Sequence, residues 1–263
     1  MKHSQKDLLA SKTWPSGPER SEEIFLRMLQ PLKQCGILQI QRYTALVIEF
    51  KNATKKYGER FVLDNINLSI QGGAWVWLTG NSGAGKTTLI HALIGAIQLT
   101  EGEVLVDGYA INKLDTAALQ EYRRKLGIVF QDYKLLPKKT VFENVAFAME
   151  VCGYSDKQIA ERVPEVLAKV GLQDARHHFP HMLSGGEKQR CAIARALIHE
   201  PRLIIADEPT GNLDPATAEE IVELLLKLHI EGATVIFATH NLSLIERYKK
   251  QRIHVEEGKV VSN

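Results

Sequence analysis

Gly80-Asn81-Ser82-Gly83-Ala84-Gly85-Lys86-Thr87 decides the reading of this chain. It follows an apolar run, Ala74-Trp75-Val76-Trp77-Leu78, that fits a buried strand. It opens onto Leu89-Ile90 and Leu93-Ile94, apolar pairs at helical spacing. Strand, glycine-rich loop and helix in that order is the setting of a phosphate-binding P-loop. The three glycines let the backbone wrap closely, so that successive N–H groups point inward at phosphate oxygens. The positive end of the helix dipole lies beneath them. Lys86 can reach the β- and γ-phosphates of a nucleotide, and the Thr87 hydroxyl can ligate Mg²⁺.

Composition bounds the rest. A chain of 263 residues holds one medium domain or two small ones. With 44% hydrophobic and 24% charged residues it has the make-up of an ordinary soluble globular protein. A formal net charge of +2 argues against wholesale nucleic-acid binding. Cys35, Cys152 and Cys191 lie far apart, which suits a reducing compartment and neither a disulfide framework nor a zinc site. No stretch approaches the ~18 apolar residues needed to span a bilayer, and the N-terminus has no apolar signal region. Membrane attachment is therefore expected to go through a partner.

Residues 1–45 are polar and broken by Trp14-Pro15-Ser16-Gly17-Pro18, and are expected to be a leader that is disordered or not native. From Leu46 the pattern becomes dense, and 46–263 reads as one α/β domain. Val47 to Phe50 and Phe61 to Ile70 have strand character. Tyr57, just upstream of the loop, is a candidate for stacking on a nucleobase. Gly127-Ile128-Val129-Phe130 is a short apolar strand ending in the amide of Gln131. Thr140 with Glu143, Ser155 with Gln158 and Ser184 with Glu187 are three capping boxes that open helices. The block 114–185 is expected to be a helical insertion, with Pro164 kinking or restarting its second helix. Gly185-Gly186 at the head of the third helix would leave backbone N–H groups bare, a second anion-binding helix end.

Leu203-Ile204-Ile205-Ala206-Asp207-Glu208 is a buried strand ending in two carboxylates. Open α/β sheets hold ligands at the carboxyl ends of their strands. Asp207 is thus placed to hold Mg²⁺ and Glu208 to activate a water. Thr234 to Thr239 is another buried strand, and His240 at its end is a candidate γ-phosphate sensor. Arg252 to Val255 and Lys259 to Val261, around Glu257-Gly258, form an expected hairpin.

Together these pieces resemble an ATP-binding-cassette (ABC) ATPase domain over residues 46–263, the most specific segment being Leu183-Ser184-Gly185-Gly186-Glu187. The resemblance implies a P-loop NTPase fold: a RecA-like core, an antiparallel β subdomain and a helical subdomain. It implies ATP and Mg²⁺ as ligands and hydrolysis as the reaction. Gly80 to Thr88 match the Walker A loop, and Tyr57 the aromatic that stacks on adenine. Gln131 matches the glutamine that contacts Mg²⁺ and the attacking water. Ser184 and Gly186 match residues that grip the γ-phosphate bound by the opposite subunit of a head-to-tail dimer of two copies of the chain. Asp207 matches the Walker B aspartate, Glu208 the general base, Asp214 the D-loop aspartate and His240 the switch histidine. Asn241 stands where many relatives have Asp.

Within the family, Leu135-Leu136-Pro137 is shared with lipoprotein-release and macrolide-export ATPases. The continuation Phe147-Ala148-Met149-Glu150-Val151 is nearer the cell-division branch. That branch implies a transmembrane FtsX-like partner, a peripheral location on the cytoplasmic face of the membrane, and control of cell-wall hydrolysis. The alternative is an exporter subunit. The rival from another class is a DNA-repair or chromosome-structuring ATPase, against which stands the lack of room for a long coiled coil between Lys86 and Ser184. No nucleic-acid partner is expected.

Overall fold

The computed structural model describes residues 46–261, so the expectation for 1–45 lies outside the described residues. Strands β1 (Val47–Tyr57) and β2 (Arg60–Gln71) pair antiparallel, with β4 (Glu101–Val106) on the other side of β1 and the short β5 (Tyr109–Ala110) beside it. A second sheet carries β3 (Trp75–Thr79), β6 (Leu126–Phe130), β7 (Leu203–Asp207), β8 (Thr234–Ala238), β9 (Gln251–Glu256) and β10 (Lys259–Val261). Its order is β10-β9-β3-β8-β7-β6, parallel except for the β9–β10 hairpin.

Strands β3, β7 and β8 are buried at all five of their positions. A parallel sheet covered on both faces gives such continuous apolar runs. The period of two sorts their side chains. Trp75, Trp77, Ile204, Val235 and Phe237 enter one core, shared with helices α3 (Val141–Glu150), α4 (Asp156–Lys169), α5 (Gly185–Leu197) and α6 (Pro215–Ile230). Val76, Leu78, Ile205 and Ile236 enter the other, shared with the antiparallel sheet and α1 (Lys86–Leu93). In the first core the rings of Trp75, Trp77 and Phe237 meet at centroid distances of 4.8–5.9 Å.

All three capping boxes form, at Thr140, Ser155 and Ser184. Helix α4 runs on through Pro164, so the helix does not restart there. Pro164 and Ala160 both face solvent, so water can serve the carbonyl that the proline leaves without a donor. The range 114–185 is not helical throughout. It opens with α2 (Thr116–Arg124) and then gives β6 to the edge of the parallel sheet before α3 and α4 follow. The last helix, α7 (Leu242–Arg247), leads into β9. Among the described residues no helix is long and apolar enough to cross a membrane.

Candidate active site

Strands β3, β6, β7 and β8 run parallel, so their carboxyl ends share one edge of the sheet. That edge collects the P-loop, Gln131, Asp207-Glu208 and His240. The loop's glycines are fixed by close approach as much as by the ligand they could hold. A Cβ at Gly80 (φ +147°) would stand 2.2 Å from the Val255 carbonyl oxygen of β9. One at Gly85 (φ +114°) would stand 2.7 Å from the Val62 carbonyl oxygen of β2. Gly85 is also the N-cap of α1 and offers no side chain, so the N–H groups of the helix's first turn stay available to an anion.

Lys86 is almost fully buried. Its ammonium donates to the Gly80 carbonyl (2.8 Å) and the Asn81 carbonyl (3.2 Å), and lies 3.6 Å from the Glu208 carboxylate. The other Glu208 oxygen accepts from His240 Nδ1 at 2.8 Å, which places the imidazole hydrogen on Nδ1 because a carboxylate accepts. Glu208 holds a left-handed backbone (φ +50°), and its N–H donates to the Ala238 carbonyl at 3.0 Å. Two neighbouring strand ends thus aim the carboxylate between a cation and an imidazole.

Asp207 is buried. Burial pushes its carboxyl above the usual aspartate range, and the neighbouring Glu208 charge adds to this, while a hydrogen bond from the Thr87 hydroxyl opposes it. Its Oδ1 has no protein partner. A buried carboxylate oxygen without a donor, beside a hydroxyl, suits a hard cation. Among the described residues no group of three or more His, Cys, Asp or Glu could hold a metal ion by itself. Thr87 and Asp207 would therefore hold Mg²⁺ only together with substrate phosphates and water, the usual mode for that ion.

Gln131 stands at the end of β6 against the turn that follows Glu208. Its Nε2 lies 3.5 Å from Asn212 Oδ1, and Asn212 Nδ2 donates to the Gln131 carbonyl at 3.3 Å. The signature residues form a second cluster. Glu187 accepts from the backbone N–H of Ser184 (2.9 Å) and from its hydroxyl (2.7 Å), which hold its carboxyl below the usual range. Packing constrains Gly186, where a Cβ would meet Thr217 Cγ2 at 2.6 Å, and is looser at Gly185, where a Cβ would lie 3.2 Å from Leu213 Cδ2 and 3.4 Å from the Tyr133 hydroxyl. Asp214 caps α6, accepting from the Thr217 hydroxyl and N–H, which depress its carboxyl.

Tyr57 is exposed at the end of β1, with the Lys55 ammonium 4.8 Å from its ring centre. The cleft beside the P-loop is lined by Asn81, Ser82, Gly83 and Ala84, and also by Arg60 and Phe61, which the sequence reading passed over. Phe61 looked like one more strand residue. Only the β1–β2 pairing, with Lys56 opposite Phe61, sets it at the rim of the loop. Asn212 was missed for a similar reason, its partner lying 81 residues away.

The chain is similar to known proteins over most of the described residues. The family described as ABC transporter matches residues 63–211. The cell division ATP-binding protein FtsE of Streptococcus pneumoniae is 44% identical over 216 residues, covering 82% of this chain and 94% of the relative. FtsE of Escherichia coli is 40% identical over 213 residues, covering 81% and 96%. Among solved structures, the dimeric bacterial ABC transporter cassette MJ0796 is 39% identical with a TM-score of 0.75, covering 82% of this chain and 97% of that one. A post-hydrolysis dimer of the same cassette, bound to ADP and Pi, gives 38% and 0.74. The chain belongs to the ABC transporter family, as an FtsE-like ATP-binding cassette.

Proposed function

We propose that this chain binds ATP with Mg²⁺, hydrolyses it as one half of a head-to-tail dimer, and couples dimer closure to a transmembrane FtsX-like partner in cell division. The observation that carries the chemistry is Glu208, held between Lys86 and His240 beside the Asp207–Thr87 pair. Lys86 turns its ammonium from the Gly80 and Asn81 carbonyls to the β- and γ-phosphates, and the first-turn N–H groups of α1 take the remaining oxygens. Thr87, Asp207 and Gln131 would hold Mg²⁺, which would supply neutralisation of charge on the nucleotide's phosphates. Glu208 takes a proton from water as the water oxygen bonds to the γ-phosphorus. The bond to the bridging oxygen breaks, and ADP and phosphate leave. His240 keeps the Glu208 carboxylate oriented. Tyr57 stacks on the base.

In this reading Ser184, Gly185, Gly186 and Glu187 of one copy close over the γ-phosphate held by the other copy's Gly80–Thr88 loop. Dimeric packing of the related MJ0796 cassette and the bare first turn of α1 support it. The partner surface is the segment after Gln131, where Lys134, Pro137 and Lys138 are exposed and Leu135 packs back onto the core. In this reading the chain works at the cytoplasmic face of the membrane, held there by the partner.

Glu208→Gln tests the chemistry. General-base contributions are typically ~10²–10⁴-fold, so turnover should fall by that factor with nucleotide affinity retained. The variant should also elute as an ATP-dependent dimer, since it cannot hydrolyse its way open. Turnover near the wild-type value removes Glu208 from the role.

A further inference from the structure

We infer that Arg195 is a positioning residue for Gln131, tying the placement of that glutamine to the helix that carries the signature residues. The chain leaves β6 at Gln131 and then bends through Tyr133 (φ +59°) and Lys134 (φ +49°), two successive left-handed residues neither of which is glycine. Each such residue costs about 1–2 kcal/mol on its own, so something must hold the bend. Arg195 of α5 does. Its Nη1 donates to the Lys134 carbonyl at 2.6 Å and its Nη2 to the Tyr133 carbonyl at 2.9 Å. A planar fork fits two consecutive carbonyls in a way that a lysine's point charge does not. The guanidinium is largely buried, which depresses its pKa, and among the described residues no carboxylate pairs with it. Its hydrogen-bond partners are those two carbonyls.

Two further features flank the bend. The Tyr133 hydroxyl stands 3.4 Å from where a Cβ of Gly185, the first residue of α5, would be, while the Tyr133 carbonyl is held by Arg195 near the other end of that helix. Tyr133 is therefore laid along α5. Downstream, the fully buried Asn144 of α3 accepts from the Leu136 N–H and donates to the carbonyls of Leu136, Lys139 and Thr140. Gln131 lies two residues before the bend, so the backbone that carries it toward Asn212 is tied to α5 through the Arg195 fork. The inference rests on the reading of Gln131 as a residue of the hydrolysis site.

The test is a double-mutant cycle in steady-state ATP hydrolysis by the full chain: wild type, Gln131→Ala, Arg195→Met and the pair. A misplacement of about 1 Å can cost ~10²-fold, so each single variant should lose roughly 10- to 100-fold in kcat. KM for ATP should stay within about twofold, because the Lys86 cradle is untouched. The pair should be no slower than Gln131→Ala alone, since Arg195 acts through Gln131. Losses that multiply in the pair, or an Arg195 variant with wild-type kcat, overturn the inference and leave the assignment of Gln131 standing. A Gln131→Ala variant with wild-type kcat overturns both. If Arg195→Met does not fold, Arg195→Lys, which keeps the charge and loses the fork, carries the same cycle with the same outcomes.

Discussion

Gly186→Ala is the substitution whose cost the structure defines best. Gly186 is the second residue of α5, and its backbone is not left-handed. Alanine would raise helix propensity there by up to about 1 kcal/mol. Against this, the new methyl would stand 2.6 Å from Thr217 Cγ2. Thr217 cannot rotate away, because its hydroxyl donates to Asp214 Oδ2 at 2.6 Å and its N–H to Asp214 Oδ1 at 3.0 Å. Either α5 moves off the start of α6 or the Asp214 cap breaks. Overpacking of this kind costs typically ~1–3 kcal/mol. The net destabilisation is then about 0–2 kcal/mol, a fall in Tm of at most ~8 °C for a chain of this size. Thr217→Ser deletes the offending methyl and keeps the hydroxyl and the cap. In the Gly186→Ala background it should restore about 1–2 kcal/mol, whereas alone it should cost less than ~1 kcal/mol. Denaturant unfolding of the four proteins gives the coupling directly. Additivity within ~0.5 kcal/mol would refute the reasoning, since it would mean that the two side chains do not compete for the same space.

Asp207→Asn should raise the melting temperature of the nucleotide-free protein at neutral pH while abolishing Mg²⁺-dependent turnover. The native Asp207 carboxyl titrates above its ordinary value of 3.8, so it costs nothing below that pH and destabilises progressively as pH rises through the native pKa. The wild type's deficit should therefore be full at high pH and shrink on acidification; a variant that melts at or below the wild type from about pH 5 to 8 contradicts this. Pro137→Glu puts a charge on the exposed part of the proposed docking segment, and burying a charge in an apolar contact is costly. Recovery in the membrane fraction of cells should drop at least about tenfold, ~1.4 kcal/mol, with turnover of the isolated chain unchanged; undiminished recovery places the docking surface elsewhere.

The sequence by itself determined the local events. Gly80 to Thr87 after an apolar run established a P-loop, and Thr140, Ser155 and Ser184 each announced a helix three residues ahead of a Glu or Gln. Leu203 to Asp207 and Thr234 to Ala238 announced strands buried on both faces. These signals act over a few residues, through capping hydrogen bonds and side-chain periodicity, so nothing outside the window needs to be known. Tertiary structure alone decided what meets. That Glu208 faces both Lys86 and His240 depends on β3, β7 and β8 lying side by side, and equally apolar strands carry no mark of their order. Gly80 and Gly85 were legible as loop glycines, but the oxygens of Val255 and Val62 that forbid a side chain there come from distant strands. Gly185-Gly186 suggested a bare anion site, and packing against Thr217 is a second reason for Gly186. Arg195 carries no mark of its role in the local sequence, since its two carbonyls lie more than sixty residues earlier, beyond the reach of any local pattern.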